Sequence, residues 1–364
     1  MKAIIVTPGK ENSARLTDLS KPQITDQDVF VKTLKVGLDG TDREINKAEY
    51  GTAPRGEDFL IIGHEALGEI QKIGHEVSSK NQFQVGDLVV PLVRKPDDCH
   101  YCQAGEPDMC IKGEYKEHGI KEEHGFLREF FCFDPDYLVK IPRKLKDVAV
   151  LLEPLSVVEK GVRQGFKIQE RMTWDPKTAL VLGLGPIGIL GAFVLRLRNL
   201  NVWLYSIEAE DNPKVELIRR MGIKYISAKE IELEELPTSI NQNIDFILEA
   251  TGNSIVAINA MSLVGQNGIL CLTGVTGGHK KVTICADCLN LDLVLGNKLI
   301  YGTVNANKLD FESGVEDMNK IHDKFPKLLE NLISHEFDLE DFKKGLKDFH
   351  GTKAIINFTK KSKE

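Results

Sequence analysis

Asp39 in VGLDGTDREI, His64 and Glu65 in IIGHEALGEI, and Glu153 in LLEPLSVVEK set three carboxylates and one imidazole on separate stretches of the first part of the chain. Zinc accepts imidazole nitrogen and carboxylate oxygen readily, and a catalytic zinc site keeps one position open for water or substrate. Spacing alone leaves a second reading open, because an Asp at a glycine turn and a His-Glu pair in a strand also serve structure.

A second signature is Gly183-Leu184-Gly185-Pro186-Ile187-Gly188, a GxGxxG between an apolar strand, TALVLGLG, and a helical run, PIGILGAFVLRLRN. The first Gly permits the tight turn, the second lets a pyrophosphate approach the backbone, and the third lets helix and strand pack closely. The helix N-terminus adds unpaired N–H groups and a partial positive charge for the phosphates. Glu208 lies at the end of the next strand, in LYSIEAED. A carboxylate there accepts the ribose hydroxyls of NAD and repels a 2′-phosphate, so NAD is expected and NADP is disfavoured without being excluded. Glu210 and Asp211 are nearly as close, and a solvated acidic turn is the alternative reading.

Two kinds of element must position these groups. Up to about residue 155 the chain reads as short β-like runs broken by Gly, Pro and Asp: AIIV, VFVKTLKVGL, FLIIGHEALGEI, GDLVVPLV and YLVKIP. They indicate an irregular antiparallel β domain with its chemistry on loops. From Thr178 strands alternate with helices, the pattern of βαβ crossovers and a doubly wound parallel sheet. After Val304 the alternation decays, and a last strand, KAIINF, is expected to rejoin the first domain. The expected boundaries are 1–155, 156–304 and 305–364.

Composition narrows the class. With 364 residues and roughly 150 per domain, two domains are expected. The net charge of -7, without a single-sign block, gives no general attraction to phosphate backbones, so nucleic acid is not an expected partner. No uncharged apolar run approaches a membrane span, and MKAIIVTPGKENSARL lacks the core and cleavage site of a signal peptide. Three of the seven cysteines, Cys99, Cys102 and Cys110, crowd into twelve positions, which suggests metal or buried thiols and a reducing cytoplasm. Cys285-x-x-Cys288 has no companion cluster and reads as structural.

The segments GHEALGEI, DGTDRE, GDLVVPLVR, CHYCQAGEPDMC, GEYKEHGI, HGFLREFF, LLEPLSVVEKG and GLGPIG resemble the archaeal glucose dehydrogenases of the zinc-dependent medium-chain dehydrogenase/reductase superfamily. The resemblance covers nearly the whole chain. It implies a GroES-like catalytic domain, a Rossmann cofactor domain, and oxidation of a sugar C1 hydroxyl to a lactone in a non-phosphorylated or semi-phosphorylated Entner–Doudoroff route. It also implies a homo-oligomer, a dimer or tetramer.

Carried over by residue, the resemblance makes Asp39, His64, Glu65 and Glu153 the catalytic zinc site, with Asp39 standing where most of the superfamily has Cys. Thr41, Glu117, Glu153 and Asn305 become sugar contacts. Leu272, Thr273, Gly274, Thr303, Val304, Asn305 and Lys353 join the fingerprint as cofactor contacts. Cys99, Cys102 and Cys110 match a structural-zinc lobe that normally has four cysteines. Here the first is missing, near Pro96 to Asp98, and Glu114 is the preferred fourth ligand over Asp98 and His100. A polyol or secondary-alcohol dehydrogenase is the runner-up; Glu117 and Asn305 favour a sugar, because a short-alcohol pocket is apolar. A non-catalytic cofactor-binding protein is the alternative from a different class.

Overall fold

The computed structural model describes residues 1–77, 83–347 and 351–359. The chain forms two compact units, Met1–Ser156 with Asn305–Glu364, and Val157–Val304.

In the first unit the strand Val29–Leu38 is the spine of a seven-stranded sheet. Its residues Val29, Val31 and, beyond a register shift between Thr33 and Lys35, Val36 are buried in a core shared with Ile4, Ile62, Phe126 and Phe131. Glu65–Ile73 pairs with it antiparallel on one side, and Phe130–Phe133 and Lys353–Asn357 on the other. The last of these lies within the KAIINF run and pairs with the spine strand in the first unit. The run FLIIGHEALGEI divides into strands Leu60–Ile61 and Glu65–Ile73, interrupted at Gly63, whose φ of +85° only glycine adopts readily.

The segment after Val304 holds a helix that the alternation pattern did not mark, Lys308–Lys324. Asn307 and Asp310 form a capping box at its start, and Phe311, Gly314, Met318 and Ile321 recur at helical spacing on its buried face.

The second unit is a six-stranded, all-parallel sheet. Its order is Lys224–Ser227, Asn201–Ser206, Thr178–Leu182, Phe246–Glu249, Ile269–Leu272, Leu299–Gly302. Thr178–Leu182 is buried along its whole length, as a central strand covered on both faces must be. Strand order reverses between it and Phe246–Glu249, and in such sheets the ligand crevice lies at the carboxyl ends beside that reversal. No described helix is long and apolar enough to cross a membrane.

Candidate active site

Asp39 follows the spine strand and caps the helix Gly40–Asn46. Its Oδ1 accepts the Asp42 N–H at 3.1 Å while Asp42 reaches back to the Asp39 N–H. This capping box leaves Oδ2 to face His64 Nε2 at 3.5 Å, and the Thr41 hydroxyl donates to the same oxygen at 3.2 Å. Asp42 Oδ1 also accepts the Gly63 N–H at 2.9 Å, which ties the cap to the turn that presents His64.

Glu65 begins the strand paired beside the spine, in register with Gly37, while Lys353 begins the C-terminal strand on the other side. A Cβ on Gly37 would collide with Glu65 Oε2, so the missing side chain makes room for a Glu65–Lys353 ion pair. Both partners are only 2 % exposed. Lys353, expected from the resemblance to contact the cofactor, pairs its buried ammonium with Glu65, where an unpaired charge would be costly.

The ligand atoms of Asp39, His64 and Glu65 lie within 4.8 Å of one another. Glu153, in the first turn of the helix Leu152–Gln169, is buried and acts electrostatically on this cluster without being one of the three convergent groups. Burial pushes Asp39 up, but His64 and Lys353 outweigh it and hold the carboxyl below its ordinary range. Burial opposes the charged form of His64, yet Asp39 and Glu153 hold its pKa well above the usual value. Burial raises Glu65 against the pull of Lys353, and pushes Glu153 up to about 8, with His64 opposing and Glu65 and Asp39 adding. Three acidic groups crowd one imidazole whose Nδ1 is buried without a hydrogen-bond partner among the described residues. That donor set suits a zinc ion, which would supply the positive charge the carboxylates lack.

Glu117 and Asn305 are also brought together. Asn305 Nδ2 donates to Glu117 Oε1 at 2.8 Å, and its own Oδ1 accepts the Ala306 N–H at 2.7 Å. Asn305 sits at φ +61°, a region Asn tolerates better than most residues. Arg94 Nη2 donates to the same Glu117 oxygen at 2.8 Å. The sequence reading missed Arg94, because its partner lies on a different strand and no local pattern marks it.

In the cysteine lobe the fourth group is Asp97, a correction to the preference for Glu114. The ligand atoms of Asp97, Cys99, Cys102 and Cys110 lie within 4.8 Å of one another. Asp97 Oδ1 accepts the Cys99 N–H at 2.8 Å, an Asx turn that aims the carboxylate inward, and the Cys110 thiol donates to Oδ2 at 2.8 Å. Glu114 and His100 are exposed, and Asp98 pairs with Lys112. Burial pushes the Cys102 thiol up to about 12. Cys285 and Cys288 are joined as a disulfide at the start of the helix Ala286–Leu295.

In the second unit the fingerprint forms the strand-to-helix turn, with Gly183 at φ +110° and Gly185 capping the helix Pro186–Leu197; Leu184, Pro186, Ile187 and Gly188 complete it. Leu272, Thr273 and Gly274 lie at or just past the carboxyl end of one strand, Thr303 and Val304 just past another. The Thr273 N–H and hydroxyl both donate to the Glu249 carbonyl, at 3.0 and 2.7 Å. Glu208 follows its strand with its carboxylate bonded by Ser206, and Lys214 Nζ stands 3.9 Å from Oε1. The acidic strand end gives no sign of Lys214, which the following helix, Pro213–Arg219, brings back beside it.

Residues 25–143 match the family model for the alcohol dehydrogenase GroES-like domain, and residues 146–358 that for the glucose dehydrogenase C-terminus. A glucose 1-dehydrogenase of Methanocella arvoryzae is 44% identical over 359 residues, 98% of this chain and 99% of the relative. One from Thermoproteus tenax is 40% identical over 346 residues, 94% of both chains. Among solved structures, the glucose dehydrogenase of Haloferax mediterranei in complex with NADP, Zn and gluconolactone is 31% identical, with a TM-score of 0.90 over 99% of this chain and 100% of that one. The alternating parallel sheet, the GroES-like unit and these full-length matches agree: the chain belongs to the glucose dehydrogenases of the zinc-dependent medium-chain dehydrogenase/reductase superfamily.

Proposed function

We propose that this chain oxidises D-glucose at C1 to the 1,5-lactone and reduces NAD(P)+ to NAD(P)H, with release of one proton. The observation that carries this reading is the Glu117–Asn305 pair, in the same unit as the Asp39–His64–Glu65 cluster. Polar side chains with unused acceptor capacity suit a polyhydroxylated ring, and they are out of place in a pocket for short alcohols.

Asp39, His64 and Glu65 would hold zinc, with Glu153 beside them. The ion supplies Lewis-acid polarisation of the substrate oxygen, which lowers the pKa of the hydroxyl. The Thr41 hydroxyl, bonded to Asp39, would exchange a proton with a substrate hydroxyl, and Glu65, paired with Lys353, is the second group able to carry one. Glu117 and Asn305 would hold the ring hydroxyls and so fix the ring's orientation for loss of hydride from C1, a step to which proximity contributes much of the rate. Asp97, Cys99, Cys102 and Cys110 form a closed set of one oxygen and three sulfurs suited to a structural zinc. Metal binding at this lobe needs Cys99, Cys102 and Cys110 as free, unoxidised thiols, which favours a reducing, cytoplasmic setting.

A panel of aldoses and polyols with both cofactors, alongside metal analysis, tests the reading. Glucose turnover with gluconolactone as product is expected. Faster turnover of polyols or secondary alcohols would assign the runner-up activity, and bound zinc and cofactor with no turnover of any substrate would make the protein non-catalytic.

Cofactor choice is expected to follow two opposed charges. Glu208 repels a 2′-phosphate, and Lys214 beside it attracts one. Glu208→Ala should move the ratio of kcat/KM toward NADP and Lys214→Ala toward NAD, each by about tenfold, or about 1.4 kcal/mol. Wild type should use NAD at least as well as NADP. A strong NADP preference that neither substitution alters would reduce Glu208 to an acidic turn residue.

We infer a homo-oligomer assembled through the second unit. The helix Ala286–Leu295 buries none of its residues within the protomer and exposes Leu291, Val294 and Leu295. The neighbouring strand Leu299–Gly302 is the edge of the six-stranded sheet. Exposed apolar side chains beside an open edge fit a second copy of the same surface. Light scattering should give a dimer or tetramer mass that Leu291→Asp reduces; a wild-type monomer would contradict this.

A further inference from the structure

Arg94 and Glu117 face each other across an antiparallel pair, the strands Arg94–Lys95 and Lys116–His118. The guanidinium is 6 % exposed, and each of its nitrogens is engaged. Nε and Nη2 fork onto Glu117 Oε1 at 3.1 and 2.8 Å. Nη1 points the other way and donates to the carbonyls of Pro107 and Asp108, both at 3.3 Å. Those residues belong to the 3-10 turn Pro107–Met109, which delivers Cys110 to the Asp97–Cys99–Cys102 group. Tyr115 covers the planar face, its ring centroid 3.7 Å from Cζ.

We propose that Arg94 is a positioning residue for the sugar, a strut through which the cysteine lobe fixes the orientation of the Glu117 carboxylate. This rests on the reading of Glu117 as a sugar contact. Three donors, two from Arg94 and one from Asn305, converge on Oε1, and none of these bonds goes to Oε2. Rotation about the last side-chain torsion would exchange the two oxygens; the fork and the Asn305 amide oppose it and keep Oε2 for a substrate hydroxyl. A lysine keeps the charge and loses the fork, so charge alone does not fill this role. The state of the lobe therefore acts on sugar affinity and on discrimination between epimers, in addition to stability.

The test is steady-state kinetics on the holoenzyme, with saturating cofactor and glucose against its C2 and C4 epimers. The variants are Arg94→Gln, Arg94→Lys, Cys102→Ser, Arg94→Gln with Cys102→Ser, and Glu117→Ala. Arg94→Gln should raise the glucose KM about tenfold and narrow the epimer ratio, while kcat falls less than about threefold and the cofactor KM holds. Arg94→Lys should fall between it and wild type. Cys102→Ser should shift sugar KM in the same direction and lower thermal stability, and in the double variant the two KM effects should not multiply, because both act through one strut.

A folded Arg94→Gln with wild-type sugar KM and epimer ratio overturns the proposal, and so do KM effects of Arg94→Gln and Cys102→Ser that multiply independently. If Arg94→Gln does not fold, Arg94→Lys carries the same readouts. Glu117→Ala separates the two claims: unchanged sugar KM there removes the reading of Glu117, whereas raised KM there with unchanged KM in both Arg94 variants removes only the strut.

Discussion

His64→Ala is expected to lose at least about a thousandfold in kcat/KM, because the polarising metal accounts for several kcal/mol of the barrier and each 1.36 kcal/mol is a factor of ten. Zinc content should fall with turnover, while cofactor affinity, held in the other unit, should stay near wild type. Asp39 needs a finer comparison, since it is both a metal ligand candidate and a helix cap. Asp39→Ala removes the cap as well, at about 1 kcal/mol of stability. Asp39→Asn retains an oxygen for the Asp42 N–H and removes only the charge. Asn at this position should therefore preserve the melting temperature and still lose most of the zinc and most of the activity. Full turnover in a zinc-free His64→Ala protein would remove the cluster from the mechanism.

The legibility of these features follows the range of the interactions that make them. The cofactor unit could be read from the chain because its signals are local: the fingerprint, the buried strand Thr178–Leu182 and the helix Pro186–Leu197 are contiguous in sequence. The metal cluster is non-local. Asp39 and His64 meet because Gly37 is in register with Glu65, and a shift of one residue would turn Glu65 to the opposite face. Residue type marks its members as candidate zinc ligands, spacing alone leaves a structural reading standing, and only the resemblance assigns them to the metal. Asp97 was a different kind of miss. It lies within the interval where the absent cysteine was placed, two residues before Cys99, the spacing of an Asx turn, so a local signal was present and was passed over. The same is true of the Asn307–Asp310 capping box before the helix Lys308–Lys324. Arg94 had no such signal, because only the pairing of two short strands sets it opposite Glu117.

Gly185→Ala and Gly188→Ala should fail in opposite ways. Gly185 has an ordinary φ of −82°, and nothing lies within 4 Å of a Cβ built on it. The fold should accept alanine there with little net change in stability, because the gain of about 0.4–1 kcal/mol from a stiffer unfolded chain is offset by alanine being a poorer N-cap residue than glycine. The added methyl would nevertheless stand where a pyrophosphate must approach the backbone, so affinity for NAD and NADP alike should drop about tenfold or more, at least about 1.4 kcal/mol. At Gly188 a Cβ would lie 2.0 Å from the Gly183 carbonyl oxygen. The helix would have to move away from its strand, an overpacking cost of about 1–3 kcal/mol. A melting temperature several degrees lower is the expected primary effect, with cofactor loss following from the displaced turn. Calorimetry and cofactor titration on both variants separate the roles. If Gly185→Ala binds both cofactors as well as wild type, that glycine is a feature of the turn alone, and the phosphate contact must be sought elsewhere along the carboxyl ends of the sheet.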